Sequence, residues 1–84
     1  MSKIEYLTYM ITNSKGEYLT ACYSAGEQTT WDKNPRYAYE FSATNFGHKY
    51  AKEVASNVRK NGGIECEVDL YRIIPKTKVR KEKP

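Results

Sequence analysis

The chain is poor in the residue types that most catalytic and metal sites require. It has one histidine and two cysteines among 84 residues. Histidine-assisted nucleophilic catalysis would need His48 beside a Cys, Ser or Thr and oriented by a third group. His48 falls instead in what reads as a first helical turn, near Tyr50 and Lys52, where it is expected to be exposed. Four zinc ligands could be assembled only by adding carboxylates, so neither metal nor cofactor is expected. No Gly-x-Ser-x-Gly elbow and no Cys-x-x-Cys pair occurs. Gly62-Gly63 follows a helix pattern, whereas a phosphate cradle precedes one. Glu65, Glu67 and Asp69 share one strand face, about 7 Å apart along the chain, and read as a solvated acidic face. An enzyme is therefore not expected.

Other absences set the class of molecule. No apolar run reaches the roughly 18 residues of a membrane span. The opening MSKIEYLTYM lacks a basic segment leading into an apolar core and a cleavage site, so no secretion signal is read and a cytoplasmic location is expected. Two cysteines are too few for a disulfide framework. Cys22 and Cys66 lie in apolar, strand-like runs and read as two buried free thiols, with a disulfide as the alternative. The net charge of +4 suggests nucleic acid until it is located. From Lys76 onward the chain reads KTKVRKEKP, five basic residues against Glu82 alone; residues 1–75 hold nine of each sign. The imbalance belongs to the tail. With one valine and no aromatic, residues 76–84 read as a basic, unfolded extension of a single domain spanning residues 1–75.

Within that domain the elements are legible. Residues 4–12 (IEYLTYMIT) form a strand. Asn13 to Gly16 (NSKG) has turn chemistry, and residues 17–23 (EYLTACY) return as the second arm of a hairpin. If Thr12 faces Glu17, one face pairs Ile11 with Tyr18, Tyr9 with Thr20 and Leu7 with Cys22. The other pairs Met10 with Leu19, Thr8 with Ala21 and Tyr6 with Tyr23. Residues 29–31 suggest a short third strand, and Asn34-Pro35 marks a turn. Residues 37–41 are another strand or an irregular aromatic segment.

Ser42 or Thr44 can cap a helix. Its apolar stripe runs through Phe46 or Gly47, Tyr50, Ala51, Val54, Ala55 and Val58. Lys49, Lys52, Glu53, Ser56 and Lys60 oppose it, and Gly62 suits the position after the last turn. In residues 64–74, Ile64, Cys66, Val68 and Leu70 alternate with acids, giving a last strand whose apolar side meets the helix; Pro75 stops it. The fold class is α+β, an antiparallel sheet of three to four strands with one helix packed on one face.

This arrangement poses a question. Both faces of the first strand are apolar, yet one helix covers one face. The set Leu7, Tyr9, Ile11, Tyr18 and Cys22 is read as core, which leaves Tyr6, Met10, Leu19 and Tyr23 outside. The segment 31–41, a second copy of the chain, or another macromolecule could cover them. Eight tyrosines suit a binding face, because a phenol offers contact area and tolerates water.

The run KGEYLT, TTW, NPRYAYEFSATNFGHKYAKEVA and GGIECEVDLYRI resembles small hypothetical proteins of bacteriophages and mobile elements. In these a Gly-x-Tyr-Leu return leads through a Trp to an Ala-x-x-Phe-Ser step, an alanine-bearing helix and a last strand. Here those positions are Gly16, Tyr18, Leu19, Trp31, Ala38, Phe41, Ser42, Ala51 and Ala55, with Gly47 where the pattern often has alanine. The resemblance implies a host-takeover or anti-defence factor, acting in the bacterial host cytoplasm, that binds and blocks a bacterial protein or ribonucleoprotein complex. The expected contacts are Tyr6, Met10 and Tyr23 on the outer face, Trp31, Arg36, Tyr37 and Tyr39 in the following loop, and Lys49, Lys52 and Lys60 on the helix. In a nucleic-acid-binding alternative, the helix lysines act with Lys76, Lys78, Arg80 and Lys81 of the tail. A homodimer is the third expectation. No membrane is involved in any of them.

Overall fold

The computed structural model describes residues 5–74 and 78–82. Strand β1 (Tyr6–Asn13) is the centre of the fold. It pairs antiparallel with β5 (Cys66–Ile74) from Tyr6↔Ile73 to Asn13↔Cys66. Two strands share its other edge. β2 (Tyr18–Tyr23) pairs with it at the turn, Thr12↔Tyr18, and β4 (Phe41–Ser42) pairs further along, at Thr8↔Ser42 and Tyr9↔Phe41. β2 diverges to pair with β3 (Gln28–Asp32), and β6 (Lys78–Lys81) extends the far side of β5. The sheet order is β3-β2-β1-β5-β6, with β4 beside β1. One helix, α1 (Asn45–Asn61), packs on the sheet. The class is thus α+β with an antiparallel sheet. It has six strands rather than three or four, because β4 and β6 are short pieces stabilised by their neighbours more than by their own apolar pattern.

The hairpin register is one residue away from the expected pairing. Asn13 sits opposite Glu17: its N–H donates to the Glu17 carbonyl at 3.0 Å, and its Oδ1 accepts from the Lys15 and Glu17 N–H groups at 2.9 and 3.0 Å. A one-residue slip inverts every face on the returning strand. Leu19 is therefore in the core, and Tyr18 lies on the opposite side with Thr12. A bulge between Leu19 and Ala21 then shifts the alternation again. This is how Leu19 and Cys22, three residues apart, both pack against the same core.

The core lies between sheet and helix: Ile11, Leu19, Phe41, Cys66, Ala51, Ala55 and Val58. Thr44 caps α1, its Oγ1 accepting from the Gly47 N–H at 3.0 Å. Of the two candidates for the start of the stripe, Gly47 is the buried one and Phe46 stands 84% exposed. Gly47, Ala51 and Ala55 present almost no side chain, so the helix lies close on the strands. After α1, Gly62 keeps an ordinary φ of −96° and Gly63 takes the left-handed one, +67°.

The face away from the helix carries Tyr6, Thr8, Met10 and Thr12, opposite Ile73, Tyr71, Asp69 and Glu67. It is closed at its centre by the chain itself, and by a route that the sequence pattern did not suggest. Tyr18 reaches across from β2 and meets the Tyr71 ring edge-on at 5.8 Å. On the other flank β6 brings Lys81 to 3.3 Å from the buried Asp69 Oδ2. Met10, opposite Asp69 on this face, is fully buried, so it is a core residue and not an exposed contact. The expected unfolded tail is corrected here as well. Residues 78–81 are strand β6, and Glu82, next to it, accepts from Arg72 Nε at 2.9 Å with Arg80 at 3.5 Å. Those guanidinium groups hold the Glu82 carboxyl below its ordinary value.

Burial makes Tyr71 a reporter of this second layer. Loss of hydration pushes its phenol up to about 12, partly offset by a hydrogen bond with Thr12. The unfolded chain would release this proton near pH 10, while the folded chain keeps it to about 12. The folded state then binds more protons, so stability declines as pH rises across that window, by about 2–3 kcal/mol. Chemical denaturation at each end of the window should show this decline, and Tyr71→Phe should reduce it. An equal decline in the variant would place the titration elsewhere.

Candidate aromatic groove

The expected contact residues do not form one surface. Tyr6 is 43% exposed and donates its hydroxyl to the Glu40 carboxylate at 3.0 and 3.1 Å. Burial and this neighbouring negative charge both raise the Tyr6 pKa. Tyr23 is exposed at the far end of β2. Trp31 is half-buried against the core, with Nε1 donating to Thr29 Oγ1 at 2.7 Å. Arg36 and Tyr37 are exposed in the 3-10 turn Pro35–Tyr37, where Asn34 Oδ1 accepts from the Arg36 N–H. Lys49, Lys52 and Lys60 are exposed on α1. Arg80 and Lys81 are exposed, but both face carboxylates. Lys76 lies outside the described residues, and Lys78 is placed only as the first residue of β6.

One of the expected contacts, Tyr39, belongs to a site with two helix residues, Tyr50 and Glu53, that the sequence pattern assigns to the apolar stripe and to the opposite helix face. The chain from β4 back to Tyr39 crosses the end of β2, where the Tyr39 N–H donates to the Leu19 carbonyl at 2.8 Å. This crossing sets the Tyr39 ring beside Phe41, with centroids 4.9 Å apart and planes tilted by 48°. From the helix, Tyr50 meets Phe41 edge-on at 5.5 Å and 69°. Phe41 is buried, whereas Tyr39 and Tyr50 are each about half exposed. They are the two walls of a groove of about 290 Å³ with Phe41 in its floor. Leu19, Cys22 and Val54 continue the apolar floor, and Ala25 closes one end. Glu53 and Asn57, one helical turn apart on α1, supply the polar rim. A shallower shelf of Phe46, Lys49, Tyr50 and Glu53 adjoins the groove along the helix.

The polypeptide builds this groove by opposing two close approaches. Near the start of α1, Gly47 brings the helix against Ser42. Near its end, Gly26 sits on the Asn57 and Val58 backbone with φ +97°, and Asn61 Nδ2 donates to the Ala25 carbonyl at 2.6 Å. Between these anchors β2 leaves β1 to join β3, and the space that opens is the groove. The Ser24–Gly26 connection supports it with two non-glycine residues at positive φ, Ser24 and Ala25, both +54°.

His48 is half-buried and stacks on Tyr9, with centroids 4.2 Å apart and rings within 3° of parallel, rather than standing exposed. Cys66 is buried; its Sγ donates to the Ala55 carbonyl at 3.6 Å, and burial pushes the thiol up despite the neighbouring Arg59. Both cysteines are free thiols. Among the described residues no group of three His, Cys, Asp or Glu is placed to hold a metal ion, and no helix is long and apolar enough to cross a membrane.

Compared with family models, curated proteins and solved structures, the chain matches none of them. The groove is therefore the feature from which function is read. Sequence reasoning missed it because Tyr50 was absorbed into the apolar stripe and Glu53 into the polar face. The available signal was the run Phe46, Tyr50, Glu53, with aromatic residues at the border of the stripe where a side chain is neither core nor fully solvated.

Proposed function

We propose that this chain is a small non-enzymatic binding protein that docks a partner protein in the groove between Tyr39 and Tyr50. The observation that carries this reading is Phe46, 84% exposed beside the half-exposed Tyr50 and Tyr39 on one continuous surface. A large hydrocarbon ring held in water forgoes about 1.5–3 kcal/mol of burial free energy, and contiguous exposed aromatics are typical of interface anchors. The resemblance to phage accessory proteins supports a bacterial host complex as the partner, blocked or redirected by occupation of its surface. Ion pairing in and beside β6 weighs against the nucleic-acid reading. Arg72, Arg80 and Lys81 already face Glu5, Glu82 and Asp69, leaving less unpaired positive charge for phosphates.

Affinity capture from a bacterial lysate, with and without nuclease, tests the proposal when wild type is compared with a Phe46→Ser, Tyr50→Ser double variant. Both side chains are exposed, so the fold should survive. The expected result is a nuclease-resistant partner whose binding falls by about tenfold or more in the double variant. Loss of every partner after nuclease would favour nucleic acid. A concentration-dependent mass with no captured partner would favour a homodimer. Either result rejects the reading.

A further inference from the structure

We infer that the groove recognises an arginine side chain presented by the partner protein; this deepens the proposed docking function and rests on it. Three aromatic residues, Tyr39, Phe41 and Tyr50, line one cavity, and Phe41 packs against the other two at tilts of 48° and 69°. The same cavity is lined by one ionisable acid, Glu53, and by no basic side chain. Among the described residues Glu53 makes no ion pair. These facts constrain the occupant. A purely apolar side chain would fill the floor but leave the exposed Glu53 carboxylate at the rim without a donor from the occupant. An anion would be repelled. A cation on an apolar stem satisfies each part: the stem covers Leu19 and Val54, the charge faces the rings, and the carboxylate accepts its N–H donors.

Between the two natural cations, the geometry favours arginine. A guanidinium is planar and weakly hydrated, stacks flat on a tyrosine, and meets a carboxylate with two parallel N–H groups. An ammonium is compact and strongly hydrated, and would give up more water in a groove walled by rings. A groove of about 290 Å³ accommodates one such side chain with part of its backbone.

The probe is N-acetyl-arginine-N-methylamide, titrated into the isotopically labelled protein and followed by amide and aromatic NMR shifts. Its neutral isostere, the citrulline derivative, and the lysine derivative are run in parallel. Saturable shifts confined to Tyr39, Tyr50, Glu53 and Val54 are expected, with affinity in the millimolar range. The citrulline compound should bind about tenfold or more weakly, since it lacks the charge that the rings and carboxylate attract. Glu53→Gln should remove most of arginine's advantage over citrulline while leaving the spectrum of the free protein folded. Equal binding of arginine and citrulline, tighter binding of lysine, or shifts outside the groove would each overturn the assignment. The two proposals fail separately. A captured partner that depends on Phe46 and Tyr50 but tolerates Glu53→Gln would keep the docking surface and reject arginine. Saturable arginine binding with no captured protein would do the reverse.

Discussion

Replacing Gly47 by alanine is expected to destabilise the protein by about 2–4 kcal/mol, although alanine is the better helix former by about 1 kcal/mol. The added methyl would be built into Ser42, against its carbonyl oxygen and carbon and its side-chain oxygen. Most of those atoms are backbone and cannot turn aside as a flexible side chain would. Ser42 is fixed on one side by pairing with Thr8 in β1, and the helix start is fixed by the Thr44 cap. The strain must therefore move α1 as a whole, and the Tyr50 wall with it. Urea denaturation of wild type and Gly47→Ala measures the effect. Gly16→Ala provides a comparison, because Gly16 has φ +79° with nothing within 4 Å of an added Cβ and should show only backbone strain of about 1–2 kcal/mol. A Gly47→Ala protein as stable as wild type would mean that helix and β4 do not approach closely. The groove would then lose one of its two anchors.

Phe41→Ala is expected to cost about 3–5 kcal/mol. Phe41 is 4% exposed, lies in the core cluster and touches both tyrosine walls. A chain of this length has roughly 4–13 kcal/mol of total stability to lose, so the variant should be partly unfolded at ordinary temperature or close to it. Its thermal midpoint, compared with that of Tyr39→Ala, separates core from rim. Tyr39 is half exposed, so its truncation should cost much less stability while impairing partner binding. Similar midpoints for the two variants would contradict the placing of Phe41 beneath the groove.

These two expectations depend on different levels of information. The α+β class, the hairpin, the helix with its Thr44 cap and the helix-facing alternation of Cys66, Val68 and Leu70 could be read in the sequence. Each rests on short-range rules of side-chain period, capping and turn chemistry. The facing of β2 could not be read. It turns on whether Thr12 or Asn13 stands opposite Glu17, and the Asn13 side chain decides that by taking two turn N–H groups at once. One residue of difference moved Leu19 into the core and Tyr18 out of it. The basic tail was misread for a related reason. Its own composition favours no strand, and its order comes from pairing with β5 and from Asp69 and Arg72, residues that local reading places elsewhere.

The sequence by itself determined the hairpin, the helix and the strand that follows it, and that two apolar sheet faces would have to be covered with only one helix. Only the tertiary structure decided how. On the second face Tyr18 packs on Tyr71, Lys81 pairs with Asp69 and Met10 is fully buried, while an exposed aromatic surface lies on the helix side, between Tyr39 and Tyr50. The physical reason is that secondary structure follows from neighbours in the chain, whereas cover and exposure depend on register and on the separation of packed backbones. In this chain, one asparagine turn and two glycine contacts set them.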